Sequence, residues 1–219
     1  MPVFARDAAT AAYYERRAEE YDEWYLGQGR FAKLKPPTWH EEVARLVDLV
    51  GGLPAARTLD VACGSGFLTR HLRGFTVALD RSPSMVALAR SRLSTGMAIV
   101  GDALALPFPD GAFERVLTGH FYGHLSLDER RAFLAEARRV ADELIVIDTA
   151  IRPGVEPEQW QERVLKDGSR HRVYKRYLTS NQLAEELSGA TLFEGRSFVA
   201  ARTTWSGRAK PDVSQGSRA

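Results

Sequence analysis

Leu59-Asp60-Val61-Ala62-Cys63-Gly64-Ser65-Gly66 is the stretch on which the reading of this chain turns. An apolar run that ends in a carboxylate and then two closely spaced glycines describes a strand turning sharply beneath a nucleotide-like ligand. Glycine at 64 and 66 tolerates positive φ and places no Cβ in the way, so a ligand can approach the backbone closely. The same Gly-x-Gly turn also serves as a plain connection from a strand into a helix. The residues around it therefore have to decide.

Moving outward, short apolar runs recur at Thr58–Ala62, Phe75–Leu79, Met97–Val100, Phe113–Thr118 and Leu144–Ile147, with helical patterns in most of the gaps. Such alternation implies a doubly wound parallel sheet. Ser82-Pro83 reads as an N-cap followed by proline at the first helical position, and Ser126-Leu127-Asp128-Glu129 has the capping-box form. Beyond the fifth run we expect a helix at 157–166, a strand at 171–178, a helix at 180–188 and a closing strand around Ser197–Ala201. Upstream, residues 8–26 are rich in helix formers. Tyr14, Ala18, Tyr21 and Tyr25 fall on one helical face, Gly27, Gly29 and Pro36-Pro37 interrupt, and a second helix is expected over 38–50.

The chain reads as one domain, 1–205, with a helical cap over 1–50, a cofactor-binding core over 55–150 and a substrate-side insertion with closing strands over 151–205. The small, polar stretch 206–219 reads as a disordered tail. Its 44% hydrophobic content can supply a real core. The tail accounts for three of the 30 basic and one of the 28 acidic side chains, so the body carries 27 of each. A neutral body offers no general field for a nucleic-acid backbone, which argues for a small-molecule partner. With a single cysteine, no secretory leader and no long apolar span, the sequence reads as a cytoplasmic protein without membrane partners, monomeric or homodimeric.

In an open parallel sheet the ligand lies beyond the carboxyl ends of the strands. The second run ends in Asp80, sixteen residues past Gly64, where a carboxylate can accept both hydroxyls of a ribose. The third ends in Gly101-Asp102-Ala103, where Asp102 can accept from an exocyclic amine while Met85 and Leu104 sandwich a flat base. Each carboxylate alone also fits a simple helix cap; three on successive strand ends point to a site. The third glycine of a dinucleotide fingerprint is absent, with Thr69 in its place, and Asp60 would repel a diphosphate while welcoming an amino group. The expected ligand is adenosine-like and not phosphorylated.

At this point the residues resemble the class I S-adenosylmethionine-dependent methyltransferases, in the branch that modifies small molecules. Asp60 to Gly66 resembles their first motif, Asp80 their acidic residue after the second strand, and Gly101-Asp102-Ala103 their third motif. Leu106 to Glu114 resembles the approach to their fourth strand. The resemblance implies a Rossmann-like α/β fold: a doubly wound, mostly parallel seven-stranded sheet with helices on both faces and an N-terminal helical cap. It implies S-adenosylmethionine as cofactor, leaving as S-adenosylhomocysteine. Asp60 and the Gly64–Gly66 backbone, Ser65 included, would face the methionine part, Asp80 the ribose, and Asp102 with Ala103 the adenine, with Ala62, Cys63, Arg81, Met85 and Leu104 in the same cofactor set. Tyr14, Tyr21 and Gly119 complete the implied cofactor set. The chain departs from the pattern at Ala62, for a frequent glycine, and at Glu114, for a frequent aspartate.

After the fourth strand, Thr118-Gly119-His120-Phe121-Tyr122-Gly123-His124 brings two histidines near the expected methyl group. Methyl transfer is a displacement on an activated sulfonium, so a base is needed only where the acceptor must lose a proton. His120 and His124 are the candidates, against the alternative that a histidine only orders the loop. Gly123 breaks helical presentation of the pair, and no metal is expected. Tyr25, Tyr122, Arg172 and Lys175 are candidate acceptor contacts. The basic segment Arg163–Tyr177 fits an acidic acceptor or a charged sheet edge. The reading is methyl transfer to oxygen or nitrogen of a small molecule. The alternatives are an NAD(P)-dependent oxidoreductase and a noncatalytic cofactor-binding regulatory protein.

Overall fold

The apolar runs become strands because their alternate side chains are buried on two opposite faces. The computed structural model describes residues 6–33 and 35–205. Seven strands form one sheet: β1 (Thr58–Val61), β2 (Thr76–Asp80), β3 (Gly96–Val100), β4 (Phe113–Gly119), β5 (Ala141–Thr149), β8 (Ala190–Glu194) and β9 (Phe198–Thr204). Their order is β3-β2-β1-β4-β5-β9-β8. The first five are parallel, β9 runs antiparallel to β5, and β8 antiparallel to β9. This is the doubly wound, mostly parallel sheet expected from the sequence. The order reverses between β1 and β4, so their carboxyl ends part and leave a crevice.

One face buries Leu59, Val61, Val77, Leu79, Val116, Leu144 and Val146 against α5 (Leu127–Val140) and α6 (Ser180–Glu186). The other buries Leu117, Ile145 and Ile147 against Val43, Leu46 and Val50 of α3 (Trp39–Gly52), and Ala78 and Ala98 against α4 (Pro83–Arg92). Neighbouring strand residues thus serve opposite layers, as period-two alternation requires. Leu46 is fully buried, and its truncation to alanine would cost about 2–5 kcal/mol. Both sequence-read caps are present: the Ser82 hydroxyl accepts from the Met85 amide, and Ser126 and Glu129 form a capping box.

The N-terminal cap differs from the single helix expected over 8–26. It breaks into α1 (Ala8–Arg17), a 3₁₀ turn at Ala18–Glu20 and α2 (Glu23–Leu26), closed by Gly27 at φ +58°. The turn redirects the chain over the crevice, where polar contacts latch it. Glu15 accepts from the hydroxyls of Ser82 and Ser84, Asp22 accepts from Ser65 Oγ at 2.5 Å, and Arg92 pairs with Asp22 at 2.7 Å.

Two further expectations are corrected. No α-helix follows Gly66: the short segment before β2 holds turns and a 3₁₀ turn at Thr69–His71. The helix expected at 157–166 is strand β6 (Glu158–Val164), paired antiparallel with β7 (Arg170–Arg176) in a separate ribbon. Cross-strand partners override helix propensity there, since Trp160 opposes Tyr174 and Glu158 opposes Arg176. The tail expectation for 206–219 lies outside the described residues.

Candidate active site

The turn after β1 has the geometry its glycines suggest. The Gly64 amide donates to Asp80 Oδ2 at 2.9 Å, joining the ends of β1 and β2, while Asp80 Oδ1 accepts from the Ser82 amide at 2.9 Å. Gly64 has φ +54°, and a Cβ there would stand 3.1 Å from the Tyr21 ring. Gly66 has φ +79°, and a Cβ would come within 2.9 Å of the Ala89 Cα, so α4 packs directly on the turn. Ala62 occupies the frequent glycine position and still adopts left-handed φ +55°.

A cleft of about 800 Å³, open mouth included, runs over this turn. Ala62, Gly64, Asp80, Arg81, Met85, Asp102 and Ala103 line its floor, Tyr14 and Tyr21 of the cap cover it, and Gly119, His120 and His124 close its inner end. Most of the residues singled out from the sequence therefore meet around one cavity. Asp102 accepts from the Leu104 amide at 2.9 Å and from Arg6 Nε at 2.8 Å. Leu104 does not line the cleft, because its side chain packs on the core beside α5; Leu79 and Phe121 supply apolar lining instead. Ser65 is tied to Asp22, and Cys63 packs against the Ala78 cluster, where burial raises its thiol pKa.

Asp60 opens into an adjoining recess that shares Tyr21, Ala62 and Gly119 with the main cleft. Its Oδ2 accepts from Thr69 Oγ1 at 2.5 Å, whereas Oδ1 is buried without a partner. Burial, opposed by the Thr69 hydroxyl and reinforced by nearby Asp80, raises its pKa to about 7. An orphaned carboxylate oxygen in a recess is what a primary ammonium group would satisfy. Asp80 keeps further lone pairs toward the cleft for hydroxyls. These donors and acceptors fit an amino-acid-bearing nucleoside.

The two histidines are held differently. His124 Nδ1 lies 2.6 Å from the Tyr174 carbonyl, so it carries the proton, and Nε2 accepts from the Tyr14 hydroxyl at 3.2 Å. Both ring atoms are thus engaged. His120 adopts φ +60°, a strained setting for a non-glycine residue, and both of its ring nitrogens are buried without partners. Burial, offset by Asp148 and deepened by Lys175, Lys35 and Arg17, lowers its pKa to about 3, so the free imidazole is neutral.

Behind His120 the cleft continues into a chamber that contains Arg17, Trp24, Thr149, Arg163 and Lys175. Lys175 reaches it from β7 and pairs with fully buried Asp148 at 2.5 Å. Burial alone would raise Asp148, but Lys175 and the histidines hold it below the usual carboxylate range. The other candidate acceptor contacts lie elsewhere. Arg172 is exposed, its guanidinium over Trp160 on the outer face of the ribbon. Tyr122 is buried in the core, donating to Glu186 at 3.0 Å. Tyr25 is stacked on Phe67 and borders only the Asp60 recess among these cavities. Sequence reasoning missed Thr10, Ala11, Ser82, Trp24, Lys35 and Arg152. Lys35 and Arg152 stand in stretches with no motif, although Arg163 belongs to the basic segment already noted.

Residues 59–143, which begin in β1 and end in β5, match the methyltransferase domain family model. The demethylmenaquinone methyltransferase of Thermotoga maritima is 34% identical over 134 residues, 58% of this chain and 54% of that protein. The malonyl-acyl-carrier-protein O-methyltransferase of Erwinia pyrifoliae is 30% identical over 118 residues, 52% of this chain and 41% of that protein. The solved DhpI-SAM-HEP complex aligns with a TM-score of 0.72 at 26% identity, covering 89% of this chain and 95% of that one. The chain spans about half the length of the curated relatives it matches.

Proposed function

We propose that this chain, acting as one domain, moves the methyl group of S-adenosylmethionine to an oxygen or nitrogen of a small-molecule acceptor. The observation that carries the reading is the pair of unpartnered polar sites on either side of Gly119: Asp60 Oδ1 in the recess and the His120 imidazole at the inner end. One suits the ammonium of the donor; the other suits the proton of the acceptor.

Asp80 would hold the ribose hydroxyls, Asp102 with Met85 and Ala103 the adenine, and Asp60 the methionine amino group. When bound, the cofactor supplies an electrophilic methyl whose bonding pair stays with sulfur. Tyr14 and Tyr21 cover the cleft and exclude water from it. The acceptor's lone pair makes the new bond, and its proton, made acidic as that bond forms, passes to His120, whose ring nitrogens have no other partner among the described residues. His124, with its tautomer locked by the Tyr174 carbonyl, positions Tyr14 rather than serving as the base.

Incubation with methyl-labelled S-adenosylmethionine and a panel of small hydroxy and amino compounds tests the reading. Label transfer to a member of the panel, lost in His120→Asn, is expected. Transfer undiminished in that variant would remove His120 from the base role.

A further inference from the structure

We propose that the chamber beyond His120 holds the anionic end of the acceptor, a carboxylate or phosphate-type oxyanion bound by Lys35, Arg152 and Arg163. The proposal rests on methyl transfer at His120 and names the substrate class for it.

The inner chamber extends into a cavity of about 650 Å³ whose lining includes Trp24, Lys35, Trp39, Arg152, Arg163 and Lys175, and no carboxylate. Lys175 is neutralised by Asp148, but Lys35, Arg152 and Arg163 make no ion pair among the described residues. Arg152 Nε is buried without a hydrogen-bond partner. Among the described residues the Lys35 ammonium has ring faces for compensation, 4.1 Å from the centre of Trp24 and 3.3 Å from that of Trp39. Three cations sharing a half-buried space without a counter-charge repel one another and lose hydration. Burial, with Arg17, Arg152 and Arg163 close by, lowers Lys35 to about 6, and an oxyanion beside it would strengthen its hold on the proton. An oxyanion with several acceptor oxygens relieves all three residues together.

The anion in question is not the cofactor's own carboxylate, because this cavity shares no lining residue with the cleft over Asp80. It is nevertheless close to the transfer point. His120 and Lys35 both flank the Trp24 indole, the imidazole centre at 4.8 Å and the ammonium at 4.1 Å from the ring centre. The acceptor is therefore small, its reacting atom and its anionic end separated by about the width of an indole. A further consequence concerns the base. Lys175, Lys35 and Arg17 help to depress His120, with Asp148 opposing them, so a bound oxyanion offsets these cations and makes the imidazole more basic when the acceptor is in place.

The test is a titration of S-adenosylhomocysteine-saturated protein with inorganic phosphate and, separately, acetate, at constant ionic strength set with chloride. Tryptophan fluorescence is the readout because Trp24 and Trp39 wall the chamber. A saturable change with either anion is expected, with the apparent Kd at least about 10-fold weaker in Lys35→Met and in Arg163→Met and unchanged in the surface variant Arg131→Met. Lys35→Met should melt no lower than wild type, since Lys35 makes no ion pair among the described residues. A response that does not saturate, or that is the same in the chamber variants as in wild type, overturns the proposal. The cofactor titration separates the two readings: if S-adenosylhomocysteine binds and neither anion does, this inference alone fails. If it does not bind, methyl transfer itself fails.

Discussion

The carboxylate of Asp80 and the amide of Gly64, 2.9 Å apart, join the end of β2 to the glycine turn of β1, so the residue suited to the ribose also sets the shape of the floor beneath it. Asp80→Ala removes both functions at once. S-Adenosylhomocysteine binding should weaken by about 1.5–3 kcal/mol, roughly 10- to 150-fold in Kd by calorimetry. Asp80→Asn should lose much of that affinity while keeping the Gly64 hydrogen bond.

Asp60 gives the cleft a pH dependence with a definite sign. With its pKa raised to about 7 in the folded chain by burial, it is largely protonated below that pH and must lose a proton to accept an ammonium. Cofactor affinity should rise with pH up to about 7, by as much as about 10-fold per unit, and then level off. Its folded value lies above its unfolded one, so its contribution to stability is fully present below about pH 4 and lost as the pH rises through about 7. Asp60→Asn should flatten the binding profile and raise the melting temperature at about pH 8 more than at about pH 4. Parallel calorimetric and thermal scans across that range check both signs.

Ala62 at φ +55° carries a Cβ in a conformation that glycine adopts freely. The left-handed cost of about 1–2 kcal/mol exceeds the extra unfolded-state entropy of glycine, about 0.4–1 kcal/mol. Ala62→Gly should therefore stabilise the protein by roughly 0.5–1 kcal/mol in urea unfolding. A loss of stability would mean that the methyl group packs usefully against the cleft.

The two histidines should separate by kinetics. His120→Asn should lower kcat about 100-fold or more, with cofactor Kd little changed. His124→Asn disturbs the Tyr14 contact and should weaken acceptor KM while leaving the pH profile of kcat in place. If His124→Asn also removed the acidic limb of that profile, the base role would pass to it.

Much of this was legible in the sequence because parallel strands announce themselves twice, by apolar runs and by the residues that end them. Asp80 and Asp102 stand at the ends of such runs and Asp60 within one, and all three border the cleft or its recess. The ribbon was misread because Glu158–Val164 is rich in helix formers, and its strand form depends on partners six to eighteen residues away. The acceptor side was least visible for a similar reason. Lys35, Arg152 and Arg163 come from three separate stretches, and the β6–β7 ribbon and the broken N-terminal cap bring them to one cavity. Arg172 and Lys175 stand three positions apart in one strand, yet strand alternation sends one outward and the other to Asp148.

The most direct measurement is a calorimetric titration of the protein with S-adenosylhomocysteine, with NAD as the control. Micromolar binding of S-adenosylhomocysteine at one site, and none of NAD, is the expected result. Binding of NAD in its place, or of neither ligand, would contradict the assignment of this cleft to a methyl donor.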